Sequence, residues 1–224
     1  MKHLGISGGG TKIGGLFGAA EVLMQEKGFQ PDYISGISAG AILSVPLAMR
    51  KFDVVRKLVL NISLKDFFSQ KPVTKKGNFN IPRVVQNITA GKPYLGRQDA
   101  LEETLAEVIT EADFAQYKKG DYPICVAGAI DFNTGARVYF NLKEMEYRQF
   151  LKAVNASSSL PIFTNAIELK RDDFTAKAFI GNPPANNDLY LFDGGVRDHV
   201  DCFYVTACSR NFRVGVHLFT ANRL

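Results

Sequence analysis

The chain has 224 residues, 46% of them hydrophobic and 22% charged, which suits one water-soluble globular domain with a full core. Lys and Arg outnumber Asp and Glu by 27 to 22, and the net charge of +5 would favour anionic surfaces such as phospholipid headgroups, although a general solubility charge explains it better; with no nucleic-acid-binding motif beside it, the charge does not point to DNA or RNA. Cys125, Cys202 and Cys208 lack the spacing of a disulfide framework or zinc site, residues 1–5 open no signal peptide, and no apolar run is long enough to span a bilayer, so a cytoplasmic protein is expected.

Residues 3–7 read as a strand, followed at once by Gly8-Gly9-Gly10, whose amides can point into one concavity and hold an anion just before a helix starts. The helix shows in the period of Leu16, Phe17, Ala20, Leu23, Met24 and Lys27, and Gly28 stops it. A Walker loop would need Gly-Lys-Ser/Thr where the chain has Thr11-Lys12-Ile13. The dinucleotide fingerprint begins at Gly8 and Gly10 but meets Ile13 at its third glycine. An oxyanion hole uses the same amide physics, and losing one such donor typically costs about 3–4 kcal/mol of barrier.

Residues 31–35 predict a short buried strand and residues 39–49 a buried helix. Between them stands Gly36-Ile37-Ser38-Ala39-Gly40, a G-x-S-x-G pattern at a strand-to-helix junction. Such a turn exposes the Ser38 hydroxyl at a helix N-terminus, and Gly36 and Gly40 let the two backbones cross closely. A tight turn with a helix-capping serine fits the same five residues, so a partner for Ser38 decides between the two.

Residues 53–68 read as one amphipathic helix. Prolines and glycines then punctuate residues 69–96, where Lys71, Lys75, Lys76, Arg83 and Lys92 concentrate basic charge that continues to Arg97. A long loop with one helical turn near residues 81–89 is expected, a lid or binding loop over Ser38. Residues 99–109 predict a helix, 122–130 a buried strand, 131–135 a turn, 137–140 a strand and 147–156 a helix. Short strands follow over 164–192 with a polar loop at 181–188. Residues 189–192 run into Asp193-Gly194-Gly195, and residues 213–219 form the last strand. The alternation of strands and helices predicts an α/β sheet with helices on both faces, without repeat or linker.

A serine needs a positioned base. His3 lies in the first strand, and His217 reads as a strand-face residue. Ser38, Asp193 and His199 follow the chain order of α/β-hydrolases, but in that fold several strands precede the elbow. Asp193 is the better candidate: it sits between an apolar strand end and two glycines, where desolvation would raise its basicity. A turn aspartate capping its own backbone is the competing reading.

Gly8-Gly9-Gly10, Gly36-Ile37-Ser38-Ala39-Gly40 and Asp193-Gly194-Gly195, in this order, resemble the patatin-like phospholipase family. Ala129-Ile130-Asp131-Phe132-Asn133-Thr134-Gly135 and Ala156-Ser157-Ser158-Ser159-Leu160-Pro161-Ile162-Phe163 add to the likeness, which runs from about residue 3 to residue 219. The resemblance implies a single domain over residues 1–224, a three-layer α/β/α sandwich around a mostly parallel sheet. It implies cleavage of phospholipid or related acyl esters by a Ser-Asp dyad, with no histidine, cofactor or metal. Ser38 would be the nucleophile, Asp193 the base, and the Gly8, Gly9 and Gly10 amides the oxyanion hole. Lys12, Gly36, Gly40, Gly194 and Gly195 would support them. Ile13 departs from the glycine usual at its place. Acyl transfer or thioesterase chemistry could use the same dyad, and a non-catalytic nucleotide- or anion-binding domain is the reading from another class. Peripheral association with membranes is also expected.

Overall fold

The computed structural model describes residues 1–68, 80–92, 94–197 and 214–218. The chain opens with β1 (Lys2–Ile6), buried from His3 onward, and the glycine turn that follows it leads into α1 (Ile13–Glu21). Its last turn widens into a π-type segment over Val22–Glu26, and Gly28 turns the chain back at φ +65°. β2 (Tyr33–Gly36) passes directly into α2 (Ala39–Ala48), all ten of whose residues are buried.

The helix expected over residues 53–68 is two helices, α3 (Phe52–Asn61) and α4 (Leu64–Phe67). Ile62 is extended at the break (ψ 133°), and Ser63 starts a new turn whose N–H donates to Asp66 Oδ2 at 2.6 Å. Within the segment read as a long loop, α5 (Ile81–Thr89) is a full helix; residues 69–79 and 93 lie outside the described residues. α6 (Ala100–Val108) is followed by α7 (Glu111–Lys119), which the sequence reading passed over. Its signal was the box at Thr110 and Asp113, where each side chain accepts from the other's backbone N–H. α7 buries Phe114 and Tyr117, and Phe114 stacks on Phe150 at 4.6 Å between ring centres.

The remaining elements are β3 (Ile124–Asp131), β4 (Arg137–Asn141), α8 (Tyr147–Ser157), β5 (Ile167–Lys170), β6 (Asp188–Asp193) and β7 (Val214–Leu218). The sheet is parallel through β7-β1-β2-β3, with β1, β2 and β3 buried on both faces, and antiparallel where β3 meets β4 and β6 and where β6 meets β5. With α1, α2 and α8 packed against it, this is the expected three-layer α/β/α arrangement. No helix among the described residues is long and apolar enough to cross a membrane.

The registers around β3 set the geometry of the site. At Val126 and Ala127, β3 pairs with β2 and β4 together; at Ala129 and Ile130 it pairs with β4 and β6. A strand has two edges, so β2 and β6 must share the edge that β4 leaves free. β2 runs parallel to β3 and stops with Gly36 opposite Ala127, while β6 runs antiparallel and stops with Asp193 opposite Ala129. The two strands approach head-on and leave Gly128 between their ends.

Candidate active site

Ser38 lies two residues past the end of β2 and begins α2 at φ 56°, ψ −121°. Positive φ is uncommon for a residue with a Cβ, and such strain persists only where the surroundings hold it. Here they do. A Cβ on Gly36 would fall 2.2 Å from the Gly40 carbonyl carbon, and one on Gly40 would fall 2.2 Å from the Ile6 carbonyl oxygen. Strand and helix thus cross at a distance open only to glycine. The Ser38 side chain makes no capping bond to its own helix, which removes the capping-serine reading.

Asp193 ends β6 and is 2% exposed. Its Oδ1 accepts the Gly195 N–H at 2.7 Å, so the turn-capping interaction is present. Burial pushes the carboxyl above its ordinary value, while hydrogen bonding from the Gly195 amide and the Ser38 hydroxyl pulls the other way. Among the described residues Asp193 has no ion pair, so desolvation dominates. A Cβ on Gly194 would lie 2.7 Å from the Gly128 carbonyl oxygen, a fit that holds this turn against β3.

The glycine turn passes beside the serine: a Cβ on Gly8 would stand 3.3 Å from Ser38 Cβ and 4.0 Å from its Oγ. Gly10 is left-handed at φ +47°, and the Lys12 N–H closes the turn on Gly9 O at 2.8 Å. Among the described residues neither the Gly9 nor the Gly10 N–H has a protein acceptor. Lys12 is exposed where α1 begins.

The serine run at the end of α8, read from sequence only as part of the family likeness, ties these pieces together. The Ser38 N–H donates to Ser157 O (3.0 Å) and Oγ (3.1 Å), and the Ser157 hydroxyl donates to Gly128 O (2.6 Å) in the gap between β2 and β6. The Ser158 hydroxyl donates to Ser38 O (3.3 Å), and the Asp193 N–H donates to Ser159 O (2.7 Å). Buried Gln98 holds the Ser158 carbonyl through Nε2 at 3.0 Å. Sequence reasoning missed Gly128 and Gln98, for which no local pattern gave a signal.

A cavity of about 480 Å³ opens beside Ser38, walled by Ile13, Ile42, Ile62, Phe67, Phe68 and Leu160. Its size and apolar walls suit a hydrocarbon chain. A hollow of about 690 Å³ at the opposite rim, beside Asp32 and Lys143, is away from Ser38 and Asp193. Of the histidines, His3 is buried with Nε2 2.8 Å from Ser35 Oγ, and His217 stands in β7 opposite Gly5. His199, Cys202 and Cys208 lie outside the described residues. A hydroxyl at a strained turn, a desolvated carboxyl, amides without a protein acceptor among the described residues and an apolar cavity are the parts that acyl transfer requires.

The protein is 26% identical over 196 residues to the uncharacterized protein YqhO of Bacillus subtilis, covering 83% of this chain and 65% of that one. It aligns with the crystal structure of VipD from Legionella pneumophila at TM-score 0.46 and 15% identity, over 88% of this chain and 46% of that one. The chain thus spans about two thirds or less of these relatives. The Patatin-like phospholipase family profile matches residues 4–205, and the chain belongs to that family.

Proposed function

We propose that the protein is a lipid acyl hydrolase of the phospholipase A or lysophospholipase type, working through Ser38 and Asp193. The observation that carries this reading is the meeting of the Ser38 hydroxyl with a buried Asp193 carboxyl, without an ion pair among the described residues, across the gap at Gly128. Asp193 takes the Ser38 proton as Oγ forms a bond to the ester carbonyl carbon. The Gly8, Gly9 and Gly10 amides receive the negative charge that develops on the carbonyl oxygen. As the tetrahedral species collapses, Asp193 returns the proton to the departing alcohol oxygen and the acyl group stays on Ser38. Water, deprotonated by the same carboxylate, attacks this ester, and the fatty acid leaves as Ser38 regains its proton. The apolar cavity receives the acyl chain during both stages.

The test is covalent labelling with a fluorophosphonate, alongside release of fatty acid from defined phospholipids and lysophospholipids. Labelling should occur on Ser38, with Ser38→Ala losing both labelling and fatty-acid release while keeping its melting temperature. An unlabelled protein, or a Ser38→Ala variant that still turns over ester, would overturn the proposal. Acyl products on an added alcohol or thiol in place of free fatty acid would reassign the same dyad to transfer.

A further inference from the structure

The rim that carries Ser38 exposes apolar side chains. Phe132 follows the end of β3 and is 69% exposed, and Val196, just past Asp193, is 56% exposed. Leu160, Ile162 and Phe163, on the turn after the serine run, are 46%, 69% and 41% exposed. Leu160 also walls the cavity beside Ser38, so the exposed apolar turn and the cavity are continuous.

Ile162 stands at φ +72°, a conformation strongly disfavoured for a β-branched residue. Its backbone is firmly held. The Ile162 and Phe163 carbonyls accept the Leu95 and Gly96 N–H groups at 2.9 Å each, and Thr164 closes the turn on Leu160 O through its N–H and hydroxyl, at 2.9 and 3.0 Å. Asn or Gly would fit this conformation with less strain. The chain instead fixes an isoleucine in a rigid turn that points an apolar body into water.

The charge on the same rim is mainly basic, with exposed Asp188 on the neighbouring stretch that Asn186 ties to Asp131 as its one acid, among the described residues, outside the segments that follow. The segments 8–13, 90–92, 94–99, 131–137, 158–166 and 193–197 carry exposed Lys12, Lys92, Arg97, Arg137 and Arg197. Their acids are Asp99, which pairs with Arg97 at 2.8 Å, and the buried Asp131 and Asp193. A rigid apolar wedge in a basic ring matches a bilayer bearing anionic headgroups: the apolar tips enter the acyl boundary and the cations meet the surface charge.

We propose that the 160–163 turn, with Phe132, Val196 and the surrounding cations, is a docking face for anionic lipid surfaces that sets the cavity mouth against the bilayer. This names the partner of the proposed active site and takes its purpose from the lipid-hydrolase reading, but it can be tested without turnover. The experiment is flotation of the Ser38→Ala protein with phosphatidylcholine vesicles and with vesicles in which about a third of the lipid is phosphatidylglycerol. Hydrolysis of the soluble ester p-nitrophenyl butyrate is followed in parallel with Ser38 intact.

Binding should favour the anionic vesicles and weaken with salt. Ile162→Asn combined with Phe163→Ser should weaken it by at least about tenfold while leaving butyrate hydrolysis unchanged. Because Asn accepts positive φ, this variant is not expected to unfold. Binding that ignores lipid charge, or that survives the double substitution, overturns the proposal. So does a protein that ignores vesicles but self-associates through this face, which would assign the face to a second copy. Vesicle binding that follows the expected pattern without any ester hydrolysis would support the docking face and remove the hydrolase reading.

Discussion

The backbone N–H of Ser38 is shared between two oxygens of Ser157, the carbonyl at 3.0 Å and the hydroxyl at 3.1 Å, and that hydroxyl also donates to Gly128 O at 2.6 Å. Ser157 therefore fills the gap between the ends of β2 and β6 and fixes the turn that presents Ser38. Ser157→Ala leaves a buried carbonyl without its side-chain donor, a loss of about 1–3 kcal/mol in stability. With the turn freer to relax, kcat should fall by about ten- to a hundredfold while KM hardly changes. Steady-state kinetics with denaturant melts checks both numbers. A variant that loses stability but keeps kcat would make Ser157 a purely structural plug.

Burial raises the Asp193 carboxyl, and the sign of the consequence follows from linkage. A carboxyl with a raised folded-state pKa binds its proton more tightly when folded. Stability therefore falls as pH rises from the unfolded value, near 3.9, through the folded one, and the cost is fully present above it. Asp193→Asn removes the charge and keeps an oxygen for the Gly195 N–H. It should melt higher than the parent at neutral pH, with the gap closing in acid, while kcat drops by about 10²–10⁴-fold. The parent's kcat/KM should have an acid limb above the range of a free aspartate. Melting curves against pH decide it: a gap that persists unchanged in acid would mean that the carboxylate is not destabilised by its site.

The two glycines of the elbow tolerate nothing larger, in contrast to a glycine in the next helix upstream. A Cβ on Gly40 would sit 2.2 Å from the Ile6 carbonyl oxygen, backbone that cannot swing aside, whereas Gly15 in α1 is exposed with nothing within 4 Å of its Cβ position. Gly40→Ala should cost about 3 kcal/mol or more, a fall of at least about 6 °C in Tm. Gly15→Ala should add about 0.5–1 kcal/mol by favouring the helix. Thermal melts of the two variants against the parent read both directions.

The motifs at Gly8, Ser38 and Asp193 were legible because each depends on local backbone geometry that only certain residues allow. Their meeting was not, since it depends on two strands ending on one edge of β3, and register between distant strands leaves no mark in a single sequence. The same holds for Gly128, whose carbonyl faces the gap between those ends and takes the Ser157 hydroxyl. The break at Ile62 was hidden because apolar spacing continues smoothly across it while the Ser63–Asp66 cap restarts the helix. The α7 helix carries just two buried side chains, Phe114 and Tyr117, too few to show a period. His199, weighed in the sequence as a triad histidine and set aside for Asp193, lies outside the described residues.

Ile13, where the family resemblance leads one to expect glycine, is 2% exposed and forms part of the wall of the cavity beside Ser38. A sec-butyl group there takes space that a glycine would leave to the ligand, so its effect should be read in acyl-chain length. Ile13→Ala should move the preferred chain of p-nitrophenyl esters toward longer acyl groups, by about two to four carbons given that each buried methylene contributes about 0.8 kcal/mol where room exists. The substitution also removes buried core, so a loss of about 2–5 kcal/mol in stability is expected, and the comparison belongs at a temperature where both proteins are folded. The ratio of kcat/KM for dodecanoate to that for butyrate separates the two effects, because loss of folded enzyme scales both esters equally. An unchanged ratio would place the acyl chain elsewhere than in this cavity.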